Sequence, residues 1–260
     1  LWIFNAGNSF AGNPKWMFEY IIRHHKEIKP VWMCYNADTM NYVHKLGYEA
    51  ELYHSSKGKS VMAKAGVYVV EMCKEVFQPE LSGITVLNLW HGVGCKSIER
   101  KVTDGFLQER IAKKYIQNND ILRNNQLFLV TSEIMEKHFK EQCGIDDDKV
   151  IRAGYPRCVV NDNIQSYDHD IRKKKGLSAN TKLAIYCPTY RDNNGANFMK
   201  SALPDMKRLA EVLHENNILL ILKMHPLVEK DTQYLAMKEV YREHPNFYFW
   251  EKFMKNRNSC

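Results

Sequence analysis

The stretch Ile84-Thr85-Val86-Leu87-Asn88-Leu89-Trp90-His91-Gly92-Val93-Gly94-Cys95-Lys96 decides how this chain reads. Its first half is an apolar run of strand length, which stops abruptly at a histidine followed by two glycines. A short apolar run bounded by such a breaker predicts a buried strand over residues 84–89. In an alternating α/β chain, the carboxyl end of a strand is where ligands gather. A histidine there titrates near neutral pH, and the glycines let a substrate approach the backbone closely. On local residues alone, His91 reads equally well as a hydrogen-bonded turn residue. The rest of the chain separates the two readings.

On the N-terminal side, residues 2–4 read as a first strand. They lead into the loop Asn5-Ala6-Gly7-Asn8-Ser9-Phe10-Ala11-Gly12-Asn13-Pro14. Pro14 suits the first turn of a helix, with Trp16, Met17, Tyr20 and Ile21 expected on its apolar side. A glycine-containing loop between strand and helix is a usual place for an anion or an acceptor group. It is neither a GxGxxG fingerprint nor a Walker A loop, so a dinucleotide or nucleoside triphosphate has no support. Further strands are predicted over residues 31–35, 49–53 and 66–70, with helices over 38–46 and 56–64 between them.

On the C-terminal side, a basic connection leads to a helix over residues 106–116 and a strand over 126–131. Ser132 then caps a helix to about residue 142, with Glu133 and Glu136 favouring its first turns. The run Asp146-Asp147-Asp148 reads as a solvated loop rather than a metal site, because no further ligand spacing accompanies it. A strand over 149–153 follows. Residues 161–180 are polar and lysine-rich, and the interdomain connection falls near their start, giving domains 1–163 and 164–260. A second alternating series has strands over 183–187, 218–223 and 247–250, with helices over 204–214 and 232–242. Alternation of this kind predicts βαβ units on parallel sheets.

Composition narrows the class. The chain has 260 residues, 45% hydrophobic and 26% charged, which suits a globular protein with a real core. No apolar run approaches the roughly 18–20 residues of a membrane span. Seven scattered cysteines, never spaced as CxxC, argue against a disulfide framework or structural zinc and for a reducing cytoplasm. The net charge of +7 favours polyanionic partners, and residues 96–123 hold seven Lys or Arg against four Asp or Glu. Anionic lipid headgroups or an anionic acceptor suit that face; no nucleic-acid-binding motif accompanies the charge.

Four predicted strand ends carry a histidine or an arginine: His91, Arg157 in Gly154-Tyr155-Pro156-Arg157, Arg191 in Pro188-Thr189-Tyr190-Arg191, and His225 in Lys223-Met224-His225-Pro226. Any one alone is weak. Together they describe a cleft suited to phosphate oxygens.

Asn13-Pro14-Lys15, Trp90-His91-Gly92, Gly154-Tyr155-Pro156-Arg157, Pro188-Thr189-Tyr190-Arg191 and Lys223-Met224-His225-Pro226, in this order, resemble the CDP-glycerol glycerophosphotransferases. These enzymes build teichoic acids and related glycerol- or ribitol-phosphate capsule polymers, and the resemblance runs across nearly the whole chain. It implies an α/β fold of the GT-B kind, with two Rossmann-type domains whose parallel sheets face across a cleft. The first domain would take the acceptor and the second the nucleotide. By resemblance, His91 is the general base on the acceptor hydroxyl, and His225 sits on the diphosphate of CDP-glycerol with Arg191, Arg157 and Lys223 nearby. Asn13, Gly92, Lys96, Pro188 and Thr189 complete the implied substrate-binding set.

The implied reaction moves glycerol phosphate, or a related polyol phosphate from a similar CDP-polyol, to a hydroxyl of a lipid-linked anionic acceptor and releases CMP. Neither a metal nor a cofactor is implied. The implied location is cytoplasmic, peripheral on the inner face of the bacterial cell membrane. The family usually has an acidic residue just after the Gly-x-Pro-Arg turn, where this chain has Cys158, Val159 and Val160. It also continues beyond the histidine-proline motif with more strands, so the second domain is expected to be incomplete and the chain to be part of a longer or truncated product. Two alternatives remain at this stage: a GT-B glycosyltransferase or epimerase using a UDP-sugar, and an inactive truncated remnant.

Overall fold

The computed structural model describes residues 1–72, 78–94, 96–118, 121–122, 125–159, 171–188, 198–225 and 228–250. The chain divides into two compact units, Leu1–Ile164 and Gln165–Cys260. The sequence placed this boundary one residue earlier.

Unit 1 is built on a seven-stranded sheet of order β3-β2-β1-β4-β5-β6-β7. The strands are β1 Trp2–Asn5, β2 Pro30–Cys34, β3 Ala50–Leu52, β4 Val67–Val70, β5 Thr85–Asn88, β6 Gln126–Val130 and β7 Val150–Arg152. Every pairing is parallel, so all seven carboxyl ends lie along one edge of the sheet. The order reverses between β1 and β4, the point at which open α/β sheets form their ligand crevice.

Both faces of this sheet are covered, which is why its strands read as apolar runs rather than alternating ones. On one face, Phe4, Phe10, Phe18, Trp32 and Val69 form a core. Phe10 meets Trp32 edge-on at 4.6 Å, and Phe18 meets Phe4 edge-on at 5.2 Å. On the other face, Ile3, Val31, Met33, Tyr68 and Val86 pack with Met62 and Leu81.

The Gly12–His24 helix buries Asn13, Pro14, Phe18, Glu19 and Ile21. Its inward stripe therefore differs from the expected one. Phe18 points in, because four aromatic rings receive it, and Tyr20 is left exposed. The Ala37–Lys45, Ser56–Ala63 and Glu133–Cys143 helices are capped by Asn36, Ser55 and Ser132, each accepting a backbone N–H of the first turn.

Unit 2 carries a three-stranded parallel sheet of order β10-β9-β8, with β8 Lys182–Tyr186, β9 Ile218–Leu222 and β10 Phe247–Phe249. This is the strand order of one half of a doubly wound sheet. One face packs Leu222, Phe247 and Phe249 against Leu213, Met224 and Tyr234. The other packs Leu219 and Ile221 against Ile171. The Ile171–Lys174 helix is thus part of this unit's core, although residues 161–180 read as a polar connection; one apolar side chain, Ile171, does the anchoring while Arg172, Lys173 and Lys174 stay basic. The Phe198–Ala202 helix was not foreseen, and the helix expected from residue 204 runs Met206–Glu215 because Asp205 caps it.

Candidate functional site

The candidate site in unit 1 starts where β5 ends. The Asn88 side chain accepts a hydrogen bond from the Trp90 N–H at 3.0 Å, closing a two-residue turn. Asn88 is itself buried and donates to Gln126 Oε1 at 2.9 Å, which fixes it against β6. The turn forces Trp90 into the left-handed region with φ 51°, a conformation that is costly for a bulky residue. The Trp90 ring is driven inward, 5.6 Å from Phe128 and 5.4 Å from Phe139. His91 emerges exposed, its ring stacked on Trp90 at 4.5 Å. The apolar anchor and the imidazole are thus adjacent residues with stacked rings, one buried and the other exposed.

Asn13 holds this turn from the start of the Gly12–His24 helix. It is fully buried, and its side-chain amide donates to the Trp90 carbonyl at 2.8 Å and the Leu89 carbonyl at 3.5 Å. Its carbonyl oxygen accepts from the Arg157 N–H at 3.4 Å. Asn13 was expected to bind substrate. Here it has no exposed surface, and its side-chain polar atoms are bonded to the backbone at Leu89, Trp90 and Arg157.

Arg157 begins to close the site from the turn after β7. Its Nη2 donates to the His91 carbonyl at 3.0 Å, and its guanidinium lies 5.7 Å from the Tyr155 ring centre. Burial pushes the Tyr155 phenol up in pKa, opposed by the Arg157 charge. Gly92 has φ 154°, a conformation that favours glycine, and a Cβ there would stand 3.4 Å from Arg157 Nη2, in ordinary contact. The Gly94 N–H meets Met135 Sδ at 3.3 Å, and a Cβ on Gly94 would come within 2.5 Å of His138 Nε2. Gly94 is therefore the place of close approach, and Gly92 the place of unusual backbone. Lys96 is exposed just beyond them.

The structure thus gathers Asn13, His91, Gly92 and Arg157 at the carboxyl edge of one sheet. It ties the Arg157 guanidinium to the backbone carbonyl of the residue that carries the imidazole; an imidazole can take a proton and a guanidinium can neutralise a phosphate oxygen. The sequence missed Asn88 and His138. An asparagine two residues before a Trp-His-Gly turn is a readable turn signal for the first; nothing local marks the second.

In unit 2, Lys223, Met224 and His225 follow directly on β9. Met224 is buried, so the exposed side chains of Lys223 and His225 flank an apolar anchor. The Lys223 N–H donates to the Tyr186 carbonyl at 3.0 Å, bringing this strand end beside that of β8, where Pro188 lies. Lys223 Nζ stands 5.7 Å from the Trp250 ring centre. The His225 carbonyl accepts from the N–H groups of Val228 and Glu229, at 2.8 and 3.1 Å. Thr189 and Arg191 lie outside the described residues. Among the described residues, no group of three His, Cys, Asp or Glu is placed to hold a metal ion, and no helix is long and apolar enough to cross a membrane.

Comparison with known proteins bears on what these strand ends do. Residues 1–249 match the family model described as CDP-glycerol:poly(glycerophosphate) glycerophosphotransferase. The teichoic acid poly(glycerol phosphate) polymerase of Bacillus subtilis (strain 168) is 25% identical over 242 residues, covering 86% of this chain and 31% of the relative. The teichoic acid ribitol-phosphate polymerase TarL of Staphylococcus aureus is 28% identical over 172 residues, covering 61% of this chain and 29% of the relative. Among solved structures, the wall teichoic acid polymerase TagF superposes with a TM-score of 0.71 at 18% identity, over 96% of this chain and 60% of that one. A UDP-N-acetylglucosamine 2-epimerase from Rickettsia bellii shares the fold more distantly, with a TM-score of 0.55 at 12% identity over 96% of this chain and 68% of that one. This chain spans about a third of the length of the Bacillus subtilis polymerase.

Proposed function

Because this chain belongs to the CDP-glycerol glycerophosphotransferase family, we propose that it transfers a glycerol-phosphate unit from CDP-glycerol to a hydroxyl of a lipid-linked anionic acceptor in teichoic acid synthesis. The observation that carries this reading is the pairing of His91 and Arg157, joined through the His91 carbonyl at 3.0 Å and held by the buried Asn13.

The chemistry follows from those groups. The acceptor oxygen attacks the glycerol-bearing phosphorus of CDP-glycerol, and the bond from that phosphorus to the oxygen of the CMP phosphate breaks. The hydroxyl proton passes to the His91 imidazole and then to solvent, and CMP leaves with the electron pair of the broken bond. Such a transfer depends mostly on positioning and on neutralising charge on the phosphoryl oxygens. Arg157 supplies a fixed cation beside the base in unit 1. Lys223 and His225 in unit 2, with Thr189 and Arg191 from the motif that follows β8, are assigned to the diphosphate of the donor by their match to the family motif; Pro188, Gly92 and Lys96 complete the set. No cofactor enters this scheme.

Partner and location follow from the same reading. The acceptor is lipid-linked, so the protein works in peripheral contact with the inner face of the cell membrane, and the basic segment over residues 96–123 suits anionic headgroups. The likeness to a UDP-sugar epimerase favours a second reading, a UDP-sugar enzyme, which competition binding separates. CDP-glycerol and CDP-ribitol bind in preference to UDP-N-acetylglucosamine on the first reading, and the order reverses on the second. The direct test is CMP release from CDP-glycerol with a lipid-linked primer, present in the native protein and abolished in His91→Ala. Equal release with and without His91 overturns the assignment of the base.

A further inference from the structure

Glu71 is a charged group of this strand-end crevice that the proposed reaction does not use. It follows directly on β4, whose last residue Val70 pairs with Asn5 of β1 on one side and with Asn88 of β5 on the other. The Leu89 N–H donates to the Val70 carbonyl at 2.9 Å, so Glu71 lies beside the turn that presents His91. It therefore stands where the strand order reverses, at the mouth of the crevice.

Its carboxylate lies flat against the backbone of Gly12. A Cβ built on Gly12 would fall 2.0 Å from Glu71 Oε1 and 3.0 Å from Oε2, and Gly12 has φ 68°. A side chain at this left-handed position would be strained and would push the carboxylate aside. Gly12 in turn precedes Asn13, which holds the Leu89 and Trp90 carbonyls. Carboxylate, clasp and histidine turn are thus one contiguous piece of structure. Glu71 is partly exposed, and among the described residues no cation and no hydrogen-bond donor engages its carboxylate.

We propose that Glu71 is a specificity-determining residue that accepts a hydrogen bond from the secondary hydroxyl of the acceptor's terminal polyol. The inference rests on the proposed function. Its physical basis is charge. A carboxylate repels the phosphate oxygens of donor and acceptor alike, so the part of a polyol phosphate that settles against it is the hydroxylated carbon chain. An ionised carboxylate only accepts hydrogen bonds, so it holds the secondary hydroxyl of a vicinal diol while the neighbouring hydroxyl keeps its proton for His91. Pinned by such a contact, the polyol presents one hydroxyl to His91 with its phosphate directed away, toward Arg157. A hydrogen bond to a charged group, lost on truncation, corresponds to about 10- to 100-fold in affinity.

The test uses glycerophosphoglycerol as a soluble acceptor probe, with its analogue lacking the terminal secondary hydroxyl. Calorimetric binding to the native protein is expected to favour the diol, and Glu71→Ala is expected to weaken the diol by about 10-fold or more while leaving the deoxy analogue unchanged. Glu71→Gln, which keeps one accepting oxygen, falls between. The KM for CDP-glycerol stays the same in all three, and the thermal unfolding midpoint does not move. The proposal is overturned by equal binding of diol and deoxy analogue to the native protein, by unchanged diol affinity in Glu71→Ala, or by a rise in the donor KM instead. Because binding is read without turnover, failure of the native protein to release CMP rejects the proposed function by a separate result.

Discussion

The strand ends of the two units are built on different principles. In unit 1, a buried asparagine reaches from the first helix of the unit to two carbonyls of the β5 turn and to the backbone of the β7 turn. Three segments far apart in sequence are tied by one side chain. In unit 2, the described strand ends of β8 and β9 are joined by a backbone bond, Lys223 N–H to the Tyr186 carbonyl, and by the buried Met224. The histidine turn of unit 1 is therefore held by the same buried polar contacts that hold the unit together, whereas Lys223 and His225 are exposed side chains on a strand that stands without them. On the proposed function, site geometry and stability are coupled in the first region and separable in the second.

The largest effect belongs to His91, the proposed base. His91→Ala is expected to lower CMP release by about 10²- to 10⁴-fold, the usual worth of a positioned general base. The thermal unfolding midpoint should not move, because the His91 side chain is exposed while Trp90 carries the packing. A fall in stability as large as that in activity would remove the distinction between anchor and catalyst at this turn.

Asn13→Ala comes next and probes the coupling directly. It leaves the Leu89 and Trp90 carbonyls and the Arg157 N–H without their buried partner, a penalty of about 1–3 kcal/mol in the stability of unit 1. Activity should fall with it, since Trp90 is then free to leave its left-handed conformation. Lys223→Ala, the counterpart in unit 2, is expected to raise the KM for CDP-glycerol without a measurable change in unfolding. Paired melting curves and kinetics for the two variants check both halves; a loss of stability from Lys223→Ala as large as that from Asn13→Ala breaks the comparison.

These two variants also mark how far the sequence could be read. Strand and helix periodicity foretold nearly every element of unit 1, because a doubly covered parallel sheet needs apolar runs separated by capped helices. The histidine turn was legible for the same reason: an apolar run cannot end in Trp-His-Gly without turning. The role of Asn13 was not legible. Its motif pointed to substrate, and only the fold reveals that its amide faces residues more than seventy positions away. Phe18 and Tyr20 exchange their expected sides for a related reason, since the aromatic partners that settle the matter come from β1, β2 and the first loop. Local pattern reads periods; long-range partners decide which residue of a period faces in.

Cysteine reactivity gives a milder test of the same contrast. Cys34 ends β2 in unit 1, and burial pushes its thiol pKa up to about 12, with the Glu51 charge adding to the rise. Cys187 sits just past β8 in unit 2 and is exposed. At pH 8, iodoacetamide is expected to label Cys187 and the exposed Cys158 while Cys34 stays unmodified until the fold is opened by denaturant. Labelling of Cys34 at the rate of Cys187 in the native protein would mean that the carboxyl edge of the larger sheet is not closed.

The smallest effect tests whether the bracing of unit 1 extends past the Asn13 clasp. Glu136, on the Glu133–Cys143 helix, is held by Lys140 and by both Nε and Nη2 of Arg152 from β7, each arginine bond at 2.6 Å. Hydrogen bonds first from Lys140 and then from Arg152 hold its carboxyl below the usual carboxylate range. A carboxyl with a depressed folded-state pKa contributes stability that is present above its unfolded value, near 4.5, and is lost as pH falls through the folded one. Glu136→Gln should therefore unfold at lower urea than the native protein at pH 7, and the gap should close on acidification below pH 4.5 as the native carboxylate takes up its proton. The β7 turn that carries Arg157 begins only a few residues after Arg152, so any loosening from this variant reaches the guanidinium beside His91. A gap that persists unchanged at low pH would mean that Glu136 acts through packing alone.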